Sequence, residues 1–596
     1  MQYPTLLEYM KAIQNAGNNL DKLAHLSVVL DGQGEPCHIS GDSSVVFKMQ
    51  DKTTGKCYAL KCFTKAQKGC ADASSNSSSV KFLEKELLVL SQGKEEKYPV
   101  ELMDWVDGDS LGASQLKVED MSTEATKAEL NEAITDEFGV KYSKDGRKLL
   151  KVPQKLKGTY AIKEGTKIIC DRAFEDCKSL RSLVIPNSVT SIGEGAFIGC
   201  ESLKSIVLPD GITSIGDETF FGCSSLASLV IPDGVTSIGN GAFAYCGSLK
   251  NLVLPESVVS IKGNLFCKWN GEVKCLSPNF IFEDGVLFNK DKSTIISFRD
   301  KDITSYVIPD SVVSIGDGAF SFCESLKNIV LSNSITSIGF CVFQHCRSLK
   351  SIVIPDSVTS IDTLAFCFCS SLKSLVIPDG VTSIGDGAFC TCESLESLVI
   401  PGGVTSIEKM AFSGCNSLKS IVIPDGVTSI GSGAFSGCES LKSIVIPDSV
   451  TCIGNRAFEY CFSLKSLVLS KSLTSIGDWA FNMAESLESL VIPDSVTSIG
   501  DYAFSGCRSL KSLVISNSVT HIAVGAFLSC TSLSSVVIPD GVTSIGEGAF
   551  IGCESLKSIV IPDGVVSIEK DAFRDCNFPN DFKQKLISRF GDKIFG

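Results

Sequence analysis

The chain has 596 residues, of which 44% are hydrophobic and 20% charged, and a formal net charge of -14. That acidic balance disfavours a role dominated by nucleic acid, whose phosphates call for clustered Lys and Arg. No run of about eighteen apolar residues exists to span a membrane as a helix. The N-terminus, MQYPTLLEYMKAIQNAGNNL, shows no basic start, apolar core and small-residue cleavage site. Taken as a natural start it predicts a cytoplasmic protein, with a cell-surface location by an unrecognised route as the alternative.

Residues 1–113 form a first domain by composition. Val45 to Gln50 and Cys57 to Phe63 flank the turn Asp51 to Lys56 and predict a hairpin. A Ser-rich loop from Ala73 to Ser79 precedes VKFLEKELLVL, whose pattern predicts a helix, and then comes YPVELMDWVDGDSL from Tyr98 to Leu111. This order resembles a degenerate N-terminal lobe of the eukaryotic-type protein kinases. Val46, Phe47 and Lys48 look like the end of the glycine-rich strand pair, and Met103 to Gly108 looks like the hinge. The resemblance implies a vestigial nucleotide site of Gly41, Lys61 and Glu86, with Glu84 competing for the last role. ATP is the one cofactor it would bring, and a nucleotide-binding regulator of pseudokinase type is the function it would imply. A plainer reading makes Lys61 and Glu86 an ordinary ion pair in a small α+β domain. Ile39 and Ser44 replace two expected glycines, and none of His25, His38, His345 and His521 begins an H-R-D-type loop. A chain without that base and the metal-binding aspartate is not expected to transfer phosphate, so no catalytic residue, no metal and no enzyme activity are predicted.

Residues 114–135 are rich in Glu, Lys and Ala and predict a helical linker or cap, with Ser122 as its N-cap. From 136 to 577 the chain repeats a 23-residue unit, nearly ideal in SLKSIVIPDGVTSIGSGAFSGCE from Ser417 to Glu439. A fixed short period with the same apolar positions means stacked coils that bury one another's hydrophobic side. In the Ser417 unit Leu418, Ile421, Ile423, Val427, Ile430, Ala434, Phe435 and Cys438 are the predicted interior. Leu418 to Ile423 predicts a strand, Pro424 to Gly426 a turn, and Val427 to Ile430 a second short strand. The fold class is a solenoid with a parallel sheet along one side, each coil about 4.8 Å from the next.

Residues such as Ile446, Pro447, Val450, Ile453, Gly454, Ala457, Phe458 and Cys461 carry the pattern I-P, V-x-x-I-G, A-F and C. It resembles the BspA-like, or Treponema pallidum-type, leucine-rich repeats over about 440 residues. The resemblance implies binding of a protein or other macromolecule on a solenoid face, in a monomer, with no catalytic residues. It makes the chain a non-enzymatic scaffold or adaptor, or else a cell-surface adhesin.

The rhythm breaks at residues 262–301, and that stretch repeats the start of the array at an offset of 146: Gly139, Tyr142, Leu149, Phe174 and Cys177 fall on Gly285, Phe288, Ile295, Phe320 and Cys323. An extended coil therefore occurs twice, and the second copy predicts a protruding hairpin near Phe280 to Phe298, itself a binding candidate. Fifteen of the 26 cysteines occupy one repeat position, which also accepts Trp269 and Ala484. Position therefore explains them as reduced structural thiols. Residues 578–596 end the chain with an amphipathic helix, Asp581 to Phe590, whose Phe582, Leu586, Ile587 and Phe590 share a face and close the last coil. On the outer face a valine ladder runs beside regular lysines, and the predicted partner surface is Lys350, Val353, Lys373, Val376, Lys419, Val422, Lys442 and Val445.

Overall fold

The computed structural model describes residues 122–299 and 303–596 in full, together with the backbone of six strands between residues 26 and 104. The chain divides into two compact units, Met1–Asp120 and Met121–Gly596.

In the first unit β1 (Leu26–Val28), β2 (His38–Ser40), β3 (Ser44–Asp51), β4 (Cys57–Phe63), β5 (Val80–Ser91) and β6 (Lys94–Asp104) form one sheet in the order β1-β3-β4-β6-β5, with β2 also on β3. The predicted hairpin is β3 and β4, which pair antiparallel with Val46 opposite Lys61. The predicted helix is absent, because VKFLEKELLVL lies within β5 and pairs with β6 from Val80↔Met103 to Ser91↔Lys94. Only Gln92 and Gly93 lie between the two strands in the sequence. Pairing along that hairpin overrides the local helical pattern, and a kinase-like lobe with its glutamate on a helix is not supported.

The second unit opens with a short helix, α1 (Lys127–Asn131), capped by Thr126 in a capping box with Glu129. The helix is thus far shorter than expected and its N-cap is Thr126 rather than Ser122. Ala125, Leu130 and Ala133 pack on the buried Leu150, Ile168 and Cys170.

Each following coil has the same section. In the Ser417 coil the strand Ser420–Val422 buries Ile421 and exposes Ser420 and Val422. The Val427 N–H closes the proline turn on the Pro424 carbonyl at 3.1 Å, and Ser429–Ile430 makes the second strand. Gly433 and Gly437 then take left-handed φ of 65° and 74°, which turns Ala434, Phe435 and Cys438 into the core. Coils stack in parallel register, with Leu398 on Ile421, Val399 on Val422 and Ser406 on Ser429.

Two features hold the stack together. Phenylalanines form a column of parallel rings, Phe435 lying 5.4 Å from Phe412 and 5.1 Å from Phe458. Each fully buried ring contributes about 1.5–3 kcal/mol of burial. The ladder cysteines are free thiols, and their role is more specific than apolar filling. Cys438 Sγ donates to the Phe412 carbonyl at 3.3 Å and Cys461 Sγ to the Phe435 carbonyl at 3.4 Å, so each thiol ties its coil to the preceding one. Burial pushes the Cys461 thiol up to about 12.

The 146-residue repetition is a repetition of structure. Ile134–Thr135, Lys141–Tyr142 and Lys148–Lys151 pair antiparallel, and the last runs parallel to Ile168–Ile169. Phe280–Glu283, Val286–Asn289 and Thr294–Phe298 do the same, leading to Ser314–Ile315. Gly139 and Gly285 share φ of 85° and 83°. The second hairpin does not protrude. Val286, Phe288, Ile295 and Phe298 are buried in the core of the second array, whereas Leu287, Phe280 and Ile296 are buried in that of the first. Strand alternation sends neighbouring side chains to opposite faces, so the hairpin is a wall shared by two cores.

At the far end α2 (Asn580–Phe590) buries Leu586 and packs Phe582 and Phe590 on the last coil, and Gly591, at φ 86°, ends it with its N–H on the Ile587 carbonyl. No helix among the described residues is long and apolar enough to cross a membrane.

Candidate functional site

The outward positions of the first strand line up from coil to coil because the strands pair in register. The residue two places after the buried Leu of each coil is serine or asparagine, and two places further on stands valine. These valines remain exposed throughout the array: Val353 by 74%, Val376 by 80%, Val422 by 68% and Val445 by 61%. The lysine column runs three residues before the valines, about 10 Å away along a strand, and Lys350, Lys373, Lys419 and Lys442 are all exposed. The eight predicted surface residues therefore lie on one sheet face, in two pairs of adjoining rungs with the Glu396 and Val399 rung between them. An open depression of about 580 Å³ lies on the same side near the end of the first array, lined by residues including Lys204, Leu249, Lys250 and Glu272.

A third column went unread in the sequence. Three residues after most of the valines, past the proline, stands an exposed acid, as in Asp356, Asp379, Asp425 and Asp448, while Asn187, Asn333, Gly402, Lys471 and Asn517 interrupt the column. Each resembles an ordinary turn former, and only stacking reveals an acidic rail on the opposite side of the valines from the lysines. The three residues that put the wrong charge on a rail, Glu396, Glu488 and Lys471, each pair with a neighbouring rung. Glu396 accepts from Lys419 at 2.6 Å, Glu488 from Lys465 at 3.1 Å, and Lys471 lies 3.9 Å from Asp448. The Lys419 partner holds the Glu396 carboxyl below its usual range.

The corner carrying Ala434 and Phe435 is the varied face. Its left-handed positions hold Arg456, Trp479 and Tyr502 in three successive coils, at φ 59°, 58° and 57°. Trp479 and Tyr502 stack at 4.2 Å, with the Arg456 guanidinium 5.6 Å from the indole. Arg456 also pairs with the buried Glu459 at 3.1 Å. A side chain at Gly525 would strike the outer face of Tyr502. His345 lies between Phe322 at 4.2 Å and Phe368 at 4.3 Å, and burial lowers its pKa.

The same corner brings two thiols together. Cys390 is half-buried, its Sγ lies 3.4 Å from Thr391 Oγ1, and a hydrogen bond from Cys367 pulls its pKa below the usual thiol range. At pH 7 a limiting maleimide reagent is expected to label Cys390 and the exposed Cys452 well ahead of the ladder thiols. Mass mapping that finds Cys438 or Cys461 modified as fast would contradict their role as buried donors.

Of the nucleotide-site residues, Gly41 lies outside the described residues, and Lys61 and Glu86 are described in backbone alone. Lys61 stands opposite Glu101 in β4 and β6, and Glu86 lies on β5. Among the described residues no group of three or more His, Cys, Asp or Glu is placed to hold a metal.

No curated protein matches the chain. Among solved structures it is similar to a leucine-rich repeat protein from Bacteroides ovatus, with 29% identity over 53% of this chain and 96% of that one and a TM-score of 0.39. It is similar to a leucine rich cell surface protein from Faecalibacterium prausnitzii, with 30% identity over 53% and 98% and a TM-score of 0.37. The pneumococcal vaccine antigen PcpA matches with 21% identity over 64% and 98% and a TM-score of 0.36. These names point away from the cytoplasmic location expected from the sequence, one of those proteins being named a cell surface protein and another a vaccine antigen. The family description BspA type leucine rich repeat region matches residues 158–272, 295–419, 405–532 and 474–596. With more than half of its length so matched, the chain belongs to the BspA-type leucine-rich repeat family.

Proposed function

We propose that the protein is a non-enzymatic interaction protein of the cell surface, which binds a macromolecular partner on the face formed by the valine column and its flanking rails. One observation carries the reading: valines such as Val207, Val376 and Val399, exposed by 78%, 80% and 70%, recur along the array on one sheet face. Exposed valines stacked rung upon rung form an apolar stripe rather than the scattered single residues of an ordinary surface, and such a stripe marks a binding surface. The relatives named as a cell surface protein and a vaccine antigen support the location.

Two measurements test this. Protease added to intact producing cells should degrade the chain, and protection until lysis would remove the surface location. Fluorescently labelled chain should bind cultured epithelial cells saturably. Lys373→Asp with Val376→Asp alters two exposed side chains, so the circular dichroism spectrum should be kept while apparent affinity falls about tenfold or more. Equal binding by the double variant would sink the face assignment.

A further inference from the structure

Rungs of the binding face such as those of Val353, Val376, Val422 and Val445 are polarised across their width. Lys350 and Asp356 flank Val353, and Lys373 and Asp379 flank Val376, with all six side chains exposed. The lysine edge and the aspartate edge stay on the same two sides from coil to coil because the strands are parallel and in register. Face-to-face docking of two such surfaces has two symmetric solutions. A twofold axis along the strands lays lysine over lysine and aspartate over aspartate. A twofold axis along the stack lays each lysine rail over the other copy's aspartate rail, valine stripe against valine stripe.

We propose that the partner of this face is a second copy of the chain, docked with parallel stack axes and with strands antiparallel across the interface. This rests on the reading of the face as the binding surface, and replaces the monomer expected from sequence. Three observations favour a second copy over another occupant. The charge pattern is complementary to itself in that orientation alone, as an isologous interface requires. The rung spacing, about 4.8 Å, is the same on both sides, so each rung that meets a rung keeps meeting one along the array. The exceptions Glu396, Glu488 and Lys471 are neutralised within their own chain, so they place no uncompensated charge against the wrong rail.

Charge reversal on full-length chain tests the proposal, with sedimentation velocity as the readout. The wild type is expected to be a dimer at micromolar concentration. Lys350→Glu with Lys373→Glu makes both edges acidic on those rungs, and Asp356→Lys with Asp379→Lys makes both basic. Each double variant alone should dissociate at least about tenfold more readily, and an equimolar mixture should recover a heterodimer. All four positions are exposed, so unchanged circular dichroism should accompany each variant. A dimer indifferent to both reversals, or a mixture that stays monomeric, overturns the proposal. A monomeric wild type whose cell binding still falls with Lys373→Asp and Val376→Asp overturns the second copy while leaving the face to another macromolecule. A monomer whose cell binding is unmoved removes both readings.

Discussion

Phe435→Ala is expected to lower the unfolding free energy by about 3–5 kcal/mol, the range for deleting a buried aromatic side chain. The ring is fully buried and lies between those of Phe412 and Phe458, within 9° and 10° of parallel. Its removal empties a slot whose walls are two neighbouring coils, neither of which can close without shifting its own strands from register. The loss falls on two coil-to-coil interfaces, because a stacked array is stabilised chiefly by nearest-neighbour contacts. Val422→Ala in the same coil removes an exposed side chain and should change stability by less than about 0.5 kcal/mol. Urea unfolding of the two variants makes the comparison, and a loss for Phe435→Ala no larger than that for Val422→Ala would show that the column is not what holds the coils.

Trp269→Ala should act on one half of the array. Trp269 stands where the repeat calls for cysteine, fully buried, with Nε1 donating to the Leu249 carbonyl at 2.7 Å and its ring 5.5 Å from Phe266. The chain crosses the indole at Gly271, where no side chain would fit. Alanine here leaves a cavity and a carbonyl without its indole donor, for about 3–5 kcal/mol. Trp269 belongs to the first core, and the second core begins on the other side of the hairpin wall. Hydrogen exchange is therefore expected to show lost protection over residues 140–280 and little change over 305–573. Equal loss in both regions would mean that the two cores unfold as one unit.

The repeat made most of the second unit legible, since Ile421, Ala434, Phe435 and Cys438 could be assigned inward from periodicity alone, and the 146-residue offset located both extended coils. What escaped depended on partners distant in sequence. VKFLEKELLVL fits a helix taken alone, and only its pairing with Lys94–Asp104 makes it a strand. The hairpin at 280–298 was placed correctly yet assigned outward, because Leu287 and Phe288 serve different cores and a sequence does not show two cores back to back. The acidic rail was hidden in turn chemistry.

The shared hairpin wall has a consequence for how such a chain attains its size. A solenoid ordinarily needs a distinct opening coil, and that requirement ties its length to a single start. Here the same opening device stands at Gly139 and again at Gly285, with matching topology and matching backbone turn. The second copy opens one array while closing another. Reach becomes modular: whole cassettes, each carrying its own first coil, can be added or lost, while the rails continue at the same spacing within each cassette.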